Sequence, residues 1–284
     1  MYIFGSDHVK NNIYKKITAI AVSVVLCLCA ASCSFPGNSG TTTASNTVRI
    51  TFPEGCTVCK AAALLEKNGV CSASDFLTAC SSAPKDFEYS SWLKTDGSCV
   101  FALEGYIAPD TYDFYKGESA SNALSRFLKN FENEIPSDIE TKAAAFGMTP
   151  AQIITLASVI QAEAGTYSEM VKVSSVFHNR LSNTSVTGGK LQSDATKQYV
   201  TVKLKDYLKP EDTAKYLALY STYSIAGLPS GPICNPGKAA IKAALEPADT
   251  DYYYFFTDSN GKYYYNETYE EHVSQWKALS ENQS

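Results

Sequence analysis

The feature that most constrains the fold is a helical run over residues 149–165, TPAQIITLASVIQAEAG, which contains one charged residue. Thr149 is suited to cap this helix, Pro150 fits its first turn, and Gly165 is placed to end it. Apolar residues recur along the run at helical spacing. The run therefore predicts a helix that packs an apolar face against the rest of a folded domain.

The one charged residue of this helix is Glu163, close to its C-terminal end. At about 100° per residue its side chain falls beside Leu156, Val159 and Ile160, at the edge of the apolar face. A carboxyl group there is poorly hydrated and faces the negative end of the helix dipole, and both effects favour the protonated form. Glu163 is therefore a candidate general acid. The alternative is a structural glutamate that snorkels or caps.

The N-terminal residues have the pattern of an export signal. Lys10, Lys15 and Lys16 precede an uncharged apolar stretch, 17–32, which is short for a spanning helix of about 20 residues. It ends in CAASC, where small residues precede Cys33, as in a bacterial lipobox. This predicts lipidation at Cys33. The alternative is an uncleaved N-terminal anchor, and both place the remaining residues outside the cytoplasmic membrane.

The composition beyond this signal excludes some partners. Residues 34–46 are small, polar and uncharged, which predicts a flexible tether. The chain has a formal net charge of −5 and no basic stripe, so we predict no nucleic-acid partner. An acidic body also gives no electrostatic attraction to an anionic membrane surface, and attachment must come from the N-terminus.

Six cysteines follow Cys33, and their state is open from the sequence. Cys56 and Cys59 have the spacing of a redox or metal motif, but the histidines beyond the signal are only His178 and His272. No second pair of this spacing completes a tetrahedral zinc site, so we predict no metal. In an exported protein the cysteines before residue 100 could form disulfides, and buried free thiols are the alternative.

Short-range signals predict an α+β fold. The predicted elements are a strand at 48–52, helices at 61–68 and 74–80, a returning strand at 99–103, helices at 120–134 and 168–181, an Ala-rich helix ending at Leu245 and capped by Asn235, a hairpin of 252–257 with 262–265, and a terminal helix with a capping box at Thr268.

Several short motifs occur in a fixed order around the Glu163 helix. They are LEGY at 103–106, PDTY at 109–112, LASVIQAE at 156–163, VSSVFHNRL at 173–181, LQSD at 191–194, YSTY at 220–223, GLPSGPICNPG at 227–237 and ADTDY at 248–252. Each motif alone is weak, but the ordered set closely resembles the YceG-like family, the membrane-anchored endolytic transglycosylases of bacterial cell-wall synthesis, also called the MltG family.

The resemblance implies a reaction on peptidoglycan. Members of this family cut glycan strands internally, between N-acetylmuramic acid and N-acetylglucosamine, without using water. The C6 hydroxyl of the muramic acid attacks its own anomeric carbon and leaves a 1,6-anhydro end. Because the nucleophile is tethered to the substrate, one carboxyl suffices where a hydrolase needs two. The resemblance assigns that role to Glu163, with no cofactor.

The resemblance also implies a supporting set of site residues. Gln192, Ser193 and Asp194 are expected in the cleft, where Asp194 binds sugar, orients Glu163 or simply caps a loop. Tyr223 is expected to offer its ring to a sugar face and its hydroxyl to an acetamido group. The 227–229 loop looks like a cleft wall. Asn179 and Arg180, at a helix end, are expected either to contact substrate or to fix the next loop.

The resemblance divides the chain into four parts: a signal or anchor at 1–33, the tether at 34–46, a small LysM-like module at 47–104, and a mixed α+β catalytic domain at 105–284. It implies action on nascent glycan strands at the outer face of the cytoplasmic membrane, near peptidoglycan synthases. Two other functional hypotheses remain open: a non-catalytic peptidoglycan-binding scaffold, and a muramidase that uses Glu163 and Asp194 as a carboxylate pair.

Overall fold

The computed structural model describes residues 46–281, which form one unit. The predicted signal at 1–33, the lipidation site Cys33 and the tether up to residue 45 lie outside the described residues. Within residues 46–281 no single helix is long and apolar enough to cross a membrane. The helices α4 (Ile139–Ala145) and α5 (Pro150–Glu163) satisfy length and composition only as a pair bent by 81°.

The N-terminal part is a two-stranded antiparallel sheet with helices between its strands. Strand β1 (Thr47–Thr51) pairs with β2 (Thr111–Tyr115), and Ile50 lies opposite Tyr112. Helices α1 (Val58–Lys67) and α2 (Ala73–Cys80) and a short 3₁₀ turn (Ser90–Trp92) lie between them in the chain. The predicted strand at 48–52 and the helices at 61–68 and 74–80 are confirmed to within a few residues.

The predicted returning strand at 99–103 is wrong. Only residues 101–103 of this segment are buried, none of it pairs with β1, and a turn occupies 102–105, with the Glu104 N–H bonded to the Phe101 carbonyl. Strand β2 takes the place beside β1 because its side chains alternate between exposed and buried, as an edge of a half-covered sheet requires. The second strand of the sheet therefore lies beyond residue 104, which is the predicted last residue of the small module.

Helix α3 (Ala120–Glu134) covers the buried face of this sheet and matches its predicted bounds. Its buried stripe includes Leu124, Phe127 and Phe131. The Phe127 ring contacts those of Phe52 and Tyr112 edge-on, at centroid distances of 4.8 and 4.6 Å. Such pairs contribute about 0.5–1.5 kcal/mol each beyond their buried area.

Helix α5 lies at the centre of the C-terminal part. Thr149 caps it in a capping box with Gln152, and every residue of the segment 153–160 is buried. A helix that is apolar on all sides needs partners all round. Helices α6 (Tyr167–Ser182) and α10 (Lys238–Leu245) pack against it, together with α4. The sequence prediction of this helix, including its cap, is confirmed.

The remaining elements surround this centre. They are α7 (Thr184–Thr187), α8 (Asp194–Gln198) with a π-helical turn (Tyr199–Lys203) directly after it, α9 (Pro210–Tyr220), the hairpin of β3 (Tyr254–Thr257) and β4 (Tyr263–Asn266), and α11 (Tyr269–Glu281). The hairpin and the capping box between Thr268 and Glu271 are confirmed. The overall class is α+β, as predicted.

Asn235 does not cap α10 as predicted, since the helix starts at Lys238 with Gly237 at the cap position. Asn235 is 1% exposed, and its side-chain oxygen accepts the N–H groups of Gly105 and Ile107. The Asn235 side chain, which was predicted to cap the helix, therefore bonds instead to buried backbone N–H groups of a neighbouring loop. Asn235 joins the 103–107 loop to the start of α10.

The six cysteines from Cys56 to Cys234 are free thiols in the structure. Burial raises their pKa values, for Cys56 to about 11 and for Cys59 to about 12, and this keeps them neutral and unreactive. In the part of the chain that the structure describes, no cluster of three or more His, Cys, Asp or Glu side chains is arranged to hold a metal ion.

Candidate active site

The Glu163 side chain lies half-buried at the C-terminal end of α5. Burial, and to a lesser degree the charge of Asp194, raise the pKa of this carboxyl above its ordinary value. Hydrogen bonds from Ser193 and from the backbone N–H of Ala195, together with the charge of Arg180, act in the opposite direction. The net rise has the direction expected from the sequence, and burial is its largest cause.

Ser193 is the residue in direct contact with this carboxyl. Its hydroxyl donates to Glu163 Oε1 at 2.5 Å. The serine itself is 4% exposed, and its backbone N–H donates to Thr222 Oγ1 at 3.0 Å. The Thr196 hydroxyl donates to the Ser193 carbonyl at 2.7 Å. The hydroxyl that meets Glu163 is therefore carried by a loop whose backbone groups are fixed.

The neighbouring residue Gln192 is held in an uncommon conformation. Among the non-glycine residues at 46–281, it alone has a positive φ, 53°. Its N–H donates to the Thr222 carbonyl at 3.1 Å, while its side chain is exposed and its Oε1 accepts from Arg180 at 3.3 Å. Such backbone conformations cost about 1–3 kcal/mol and persist where surrounding contacts enforce them, often at functional sites.

Asp194 and Tyr223 lie together on the open side of Glu163. Asp194 is exposed as the first residue of α8, and Tyr223 is 46% exposed. Partial burial and the nearby Asp194 carboxylate, which the phenol contacts by a hydrogen bond, raise the pKa of Tyr223 to about 12. The phenol is thus neutral and available, with the ring accessible to a ligand.

Asn179 faces a different part of the molecule. Its amide N–H groups donate to the carbonyls of Thr250 at 2.7 Å and Tyr252 at 3.0 Å, which fixes the loop before the hairpin. It also borders a cavity of about 510 Å³ with His178 and Asp249. Of the predicted site residues, the structure brings Gln192, Ser193, Asp194 and Tyr223 together around Glu163 and sets Asn179 aside.

Arg180 joins the Gln192 loop to the segment before the hairpin, a role that the sequence did not predict specifically. It is 6% exposed, and its guanidinium donates to the carbonyls of Tyr253 at 2.5 Å and Leu191 at 2.6 Å. Burial lowers its pKa to about 10, so it stays charged. Its spacing of seven from Val173 puts it on the buried stripe of α6, and this periodicity is the signal that could have identified it.

The predicted cleft wall at 227–229 borders a separate space. Gly227, Leu228 and Pro229 line a cavity of about 560 Å³, together with Thr149 and Gln152 at the start of α5. Glu163, at the other end of that helix, is not among its lining residues. The predicted cleft wall and the candidate acid therefore do not line this cavity together.

This arrangement can transfer protons. A half-buried carboxyl of raised pKa can donate a proton near neutral pH and then accept one, provided that a reacting group lies within hydrogen-bond distance. The exposed Tyr223, Gln192 and Asp194 supply a ring face, an amide and a carboxylate beside it. These are groups that bind hydroxyl-rich ligands.

The structure is an α+β domain with one candidate acid at the end of its central helix, and comparison with known proteins identifies its family. The model of the YceG-like family matches residues 38–278. The chain therefore belongs to the YceG-like family.

Individual relatives agree with this assignment. The chain is 33% identical over 170 residues to a Bacillus subtilis protein named endolytic murein transglycosylase, and 27% identical over 185 residues to one of that name from Streptococcus pneumoniae. The matches cover 60% and 62% of this chain but 46% and 32% of those relatives, so the chain spans less than half of their length. The crystal structure of a YceG-like protein from Listeria monocytogenes, 28% identical, superposes with a TM-score of 0.66 over 80% of this chain and 75% of that one.

The contact between Ser193 and Glu163 leads to a first prediction. In Ser193→Ala the carboxyl loses a hydrogen bond that lowers its pKa, so we expect the Glu163 pKa to rise further above its ordinary value. The measurement is a ¹³C NMR titration of the side-chain carboxyl. Ser174→Ala is the matched control, because Ser174 is also buried and its hydroxyl has no partner. An unchanged pKa in Ser193→Ala would contradict the contact.

Proposed function

We propose that this protein is an endolytic murein transglycosylase. It cuts peptidoglycan glycan strands between N-acetylmuramic acid and N-acetylglucosamine without water and leaves 1,6-anhydro ends. The observation that carries the proposal is the half-buried Glu163 carboxyl, whose pKa is raised mainly by burial and which Ser193 holds in place. The names of the relatives support it.

The reaction needs one group that gives and takes a proton. Glu163 protonates the glycosidic oxygen as the bond to the anomeric carbon breaks. The C6 hydroxyl of the same muramic acid then attacks that carbon, and its proton passes to the Glu163 carboxylate. The acid is regenerated, and no water is consumed. Because the nucleophile belongs to the substrate, its proximity replaces the second carboxyl of a hydrolase.

The exposed residues around Glu163 bind the sugars in this proposal. The ring of Tyr223 packs on a sugar face, and its hydroxyl and the Gln192 amide take acetamido or hydroxyl groups. Asp194 accepts hydrogen bonds from sugar hydroxyls. We assign Asn179 to positioning, since its amide donates to the carbonyls of Thr250 and Tyr252 and fixes that loop.

A hydrolytic muramidase is the second candidate. The observation that favours it is the position of Asp194, whose charge acts on the Glu163 carboxyl and raises its pKa. A carboxylate there can activate water or attack the anomeric carbon, as in two-carboxylate glycosidases. The product would then carry a reducing end instead of an anhydro end.

We further propose that the protein acts at the outer face of the cytoplasmic membrane. Lipidated Cys33 or an uncleaved N-terminal segment attaches it, and the module at 47–104 is LysM-like and helps to hold glycan. Acting on nascent strands beside peptidoglycan synthases, the enzyme terminates strand growth. Metabolic labelling of wild type and Cys33→Ala with a fatty acid tests the attachment, because a lipoprotein incorporates the label at Cys33 and an uncleaved anchor does not.

Mass spectrometry of the products tests the reaction itself. We expect purified protein incubated with uncrosslinked glycan strands to produce new ends that are one water lighter than hydrolytic ends. Reducing ends would establish the muramidase. Binding without cleavage by folded protein, measured by sedimentation with peptidoglycan, would establish a non-catalytic scaffold and overturn both enzymatic proposals.

A further inference from the structure

The carboxyl of Glu104 is fully buried, at 1% exposure, and the proposed reaction does not use it. Its Oε1 accepts from the Val58 N–H at 3.0 Å and from the Asn235 amide at 3.2 Å. Its Oε2 accepts from the Tyr199 hydroxyl at 3.0 Å. An apolar side chain here would remove the acceptor of the Val58 N–H and of the Tyr199 hydroxyl, while the Asn235 amide would keep its bond to the Cys56 carbonyl.

One of these donors belongs to the segment that carries the candidate site. Tyr199 is the first residue of the π-helical turn that continues α8, and Ser193 is the cap residue of α8. Six positions separate the two residues, or about 9 Å of helix. Ser193, whose hydroxyl donates to Glu163, therefore lies at one end of a helical segment. The other end of that segment is bonded to Glu104 through Tyr199.

A second connection runs through side-chain packing. The Tyr199 ring lies 5.2 Å from the ring of Tyr220, the last residue of α9. Two positions later, Thr222 accepts the Ser193 N–H at its hydroxyl and the Gln192 N–H at its carbonyl. The loop at 192–193 is thus supported from both sides by residues that depend on the position of Tyr199.

We propose that Glu104 is a positioning residue for the candidate acid. Through Tyr199 it holds α8 where Ser193 reaches the Glu163 carboxyl. The kinetic consequence rests on the proposed function. The geometric consequence does not, because the hydrogen bonds to Glu163 change its pKa in the absence of any substrate.

The test compares wild type with Tyr199→Phe in the full chain. The variant keeps the ring against Tyr220 and removes only the hydroxyl that Glu104 accepts. Displacing α8 weakens the bonds from Ser193 and Ala195, which lower the Glu163 pKa, and also the effect of the Asp194 charge, which raises it. The Ser193 bond is the largest of these three influences, so we expect a net rise in the Glu163 pKa, as a ¹³C NMR titration would show. We also expect kcat for glycan cleavage to fall about tenfold with KM unchanged, since misplacement affects the reacting groups more than the exposed binding residues.

Tyr112→Phe is the matched control. The Tyr112 hydroxyl is also buried and donates to a backbone carbonyl, that of Ala108, at 2.7 Å. It belongs to β2, and its ring packs in the aromatic core against α3. We expect this control to lose stability while the Glu163 pKa and the ratio of kcat to KM stay at wild-type values.

Two substitutions of Glu104 complete the test. Glu104→Gln keeps the volume, retains an oxygen for Val58 and can donate to the Tyr199 oxygen, so it should keep the wild-type Glu163 pKa. Glu104→Leu removes every acceptor and should raise that pKa as Tyr199→Phe does. If Glu104→Leu does not fold, Tyr199→Phe alone decides.

The two proposals fail in different ways. An unchanged Glu163 pKa in folded Tyr199→Phe overturns the positioning role, whether or not the protein cleaves glycan. A raised pKa supports it. Absence of cleavage by wild type together with a raised pKa in the variant contradicts the proposed function and leaves the positioning role standing.

Discussion

Glu163→Gln should reduce the rate of glycan cleavage about 10²- to 10⁴-fold, the usual contribution of a positioned general acid. The amide has the size of the carboxyl and can still accept the Ser193 hydroxyl, so the site keeps its shape. It cannot donate a proton to the leaving oxygen or take one from the C6 hydroxyl. The measurement is the rate at which anhydro ends appear, by mass spectrometry, with strand binding followed in parallel.

Glu169→Gln is the matched control for this loss. Glu169 lies on α6, and its carboxylate contacts Lys172 at 3.0 Å and Tyr265 at 2.5 Å, contacts that hold its pKa below the ordinary value. Glu169 is therefore ionised and has no role in the proposed reaction. We expect the cleavage rate of Glu169→Gln to stay close to that of wild type. A Glu163→Gln protein that keeps more than a tenth of the wild-type rate would show that another group is the acid.

Asp194→Asn separates the two enzymatic candidates. In the transglycosylase the nucleophile comes from the substrate, so this variant should retain anhydro products even if weaker sugar binding raises KM. In a muramidase the same change removes the group that activates water or attacks carbon, and the hydrolytic products disappear. The identity of the ends, more than the rate, decides between them.

The parts of the fold that could be predicted from the sequence depend on short-range interactions. Thr149 and Gln152 complete the capping box of α5 three residues apart, and the position of Glu163 on that helix follows from a period of 3.6. The hairpin at 254–266 forms between adjacent segments. For such elements the residues that decide the structure lie within the window that the pattern covers.

The parts that could not be predicted depend on distant partners. Arg180 is fixed by the carbonyl of Tyr253, 73 positions away, and Asn235 bonds to Gly105, 130 positions away. Strand β1 pairs with a segment 60 or more positions later, beyond the apolar run that looked like its partner. In the interior these polar side chains bond to the backbone of other loops instead of capping their own helices. Nothing near them in the sequence specifies which loops those are.

The same burial should make folding stability depend on pH through one residue. Burial raises the pKa of Glu104 to about 8 from an ordinary value of 4.5. Between these values the folded protein retains a proton, which Oε2 can donate to the Tyr199 oxygen, and the unfolded chain releases it, so the free energy of unfolding falls as pH rises. The loss is about 1.4 kcal/mol for each pH unit across this window. Below pH 4.5 the contribution is fully present, and above about pH 8 it is gone.

Glu104→Gln should remove this dependence, because its amide has no proton to lose. We expect the two proteins to have similar unfolding free energies near pH 5, and the variant to become the more stable of the two as pH rises to 8. Guanidinium unfolding at pH 5, 6, 7 and 8 measures the difference. Other titrating groups, such as His178, whose pKa burial lowers, and Glu163, are present in both proteins and cancel.

The exposed Glu66 provides the matched control, since Glu66→Gln removes a carboxylate from the surface of α1 without touching the buried network. We expect the fall in unfolding free energy between pH 5 and pH 8 to remain in this variant, because Glu104 is unchanged. The thiols around Glu104 do not interfere, because the pKa values of Cys56 and Cys59 stay near 11 and 12. Parallel curves for Glu104→Gln and wild type would mean that Glu104 is already ionised at pH 5. The three donors around it would then stabilise the charge more than burial destabilises it.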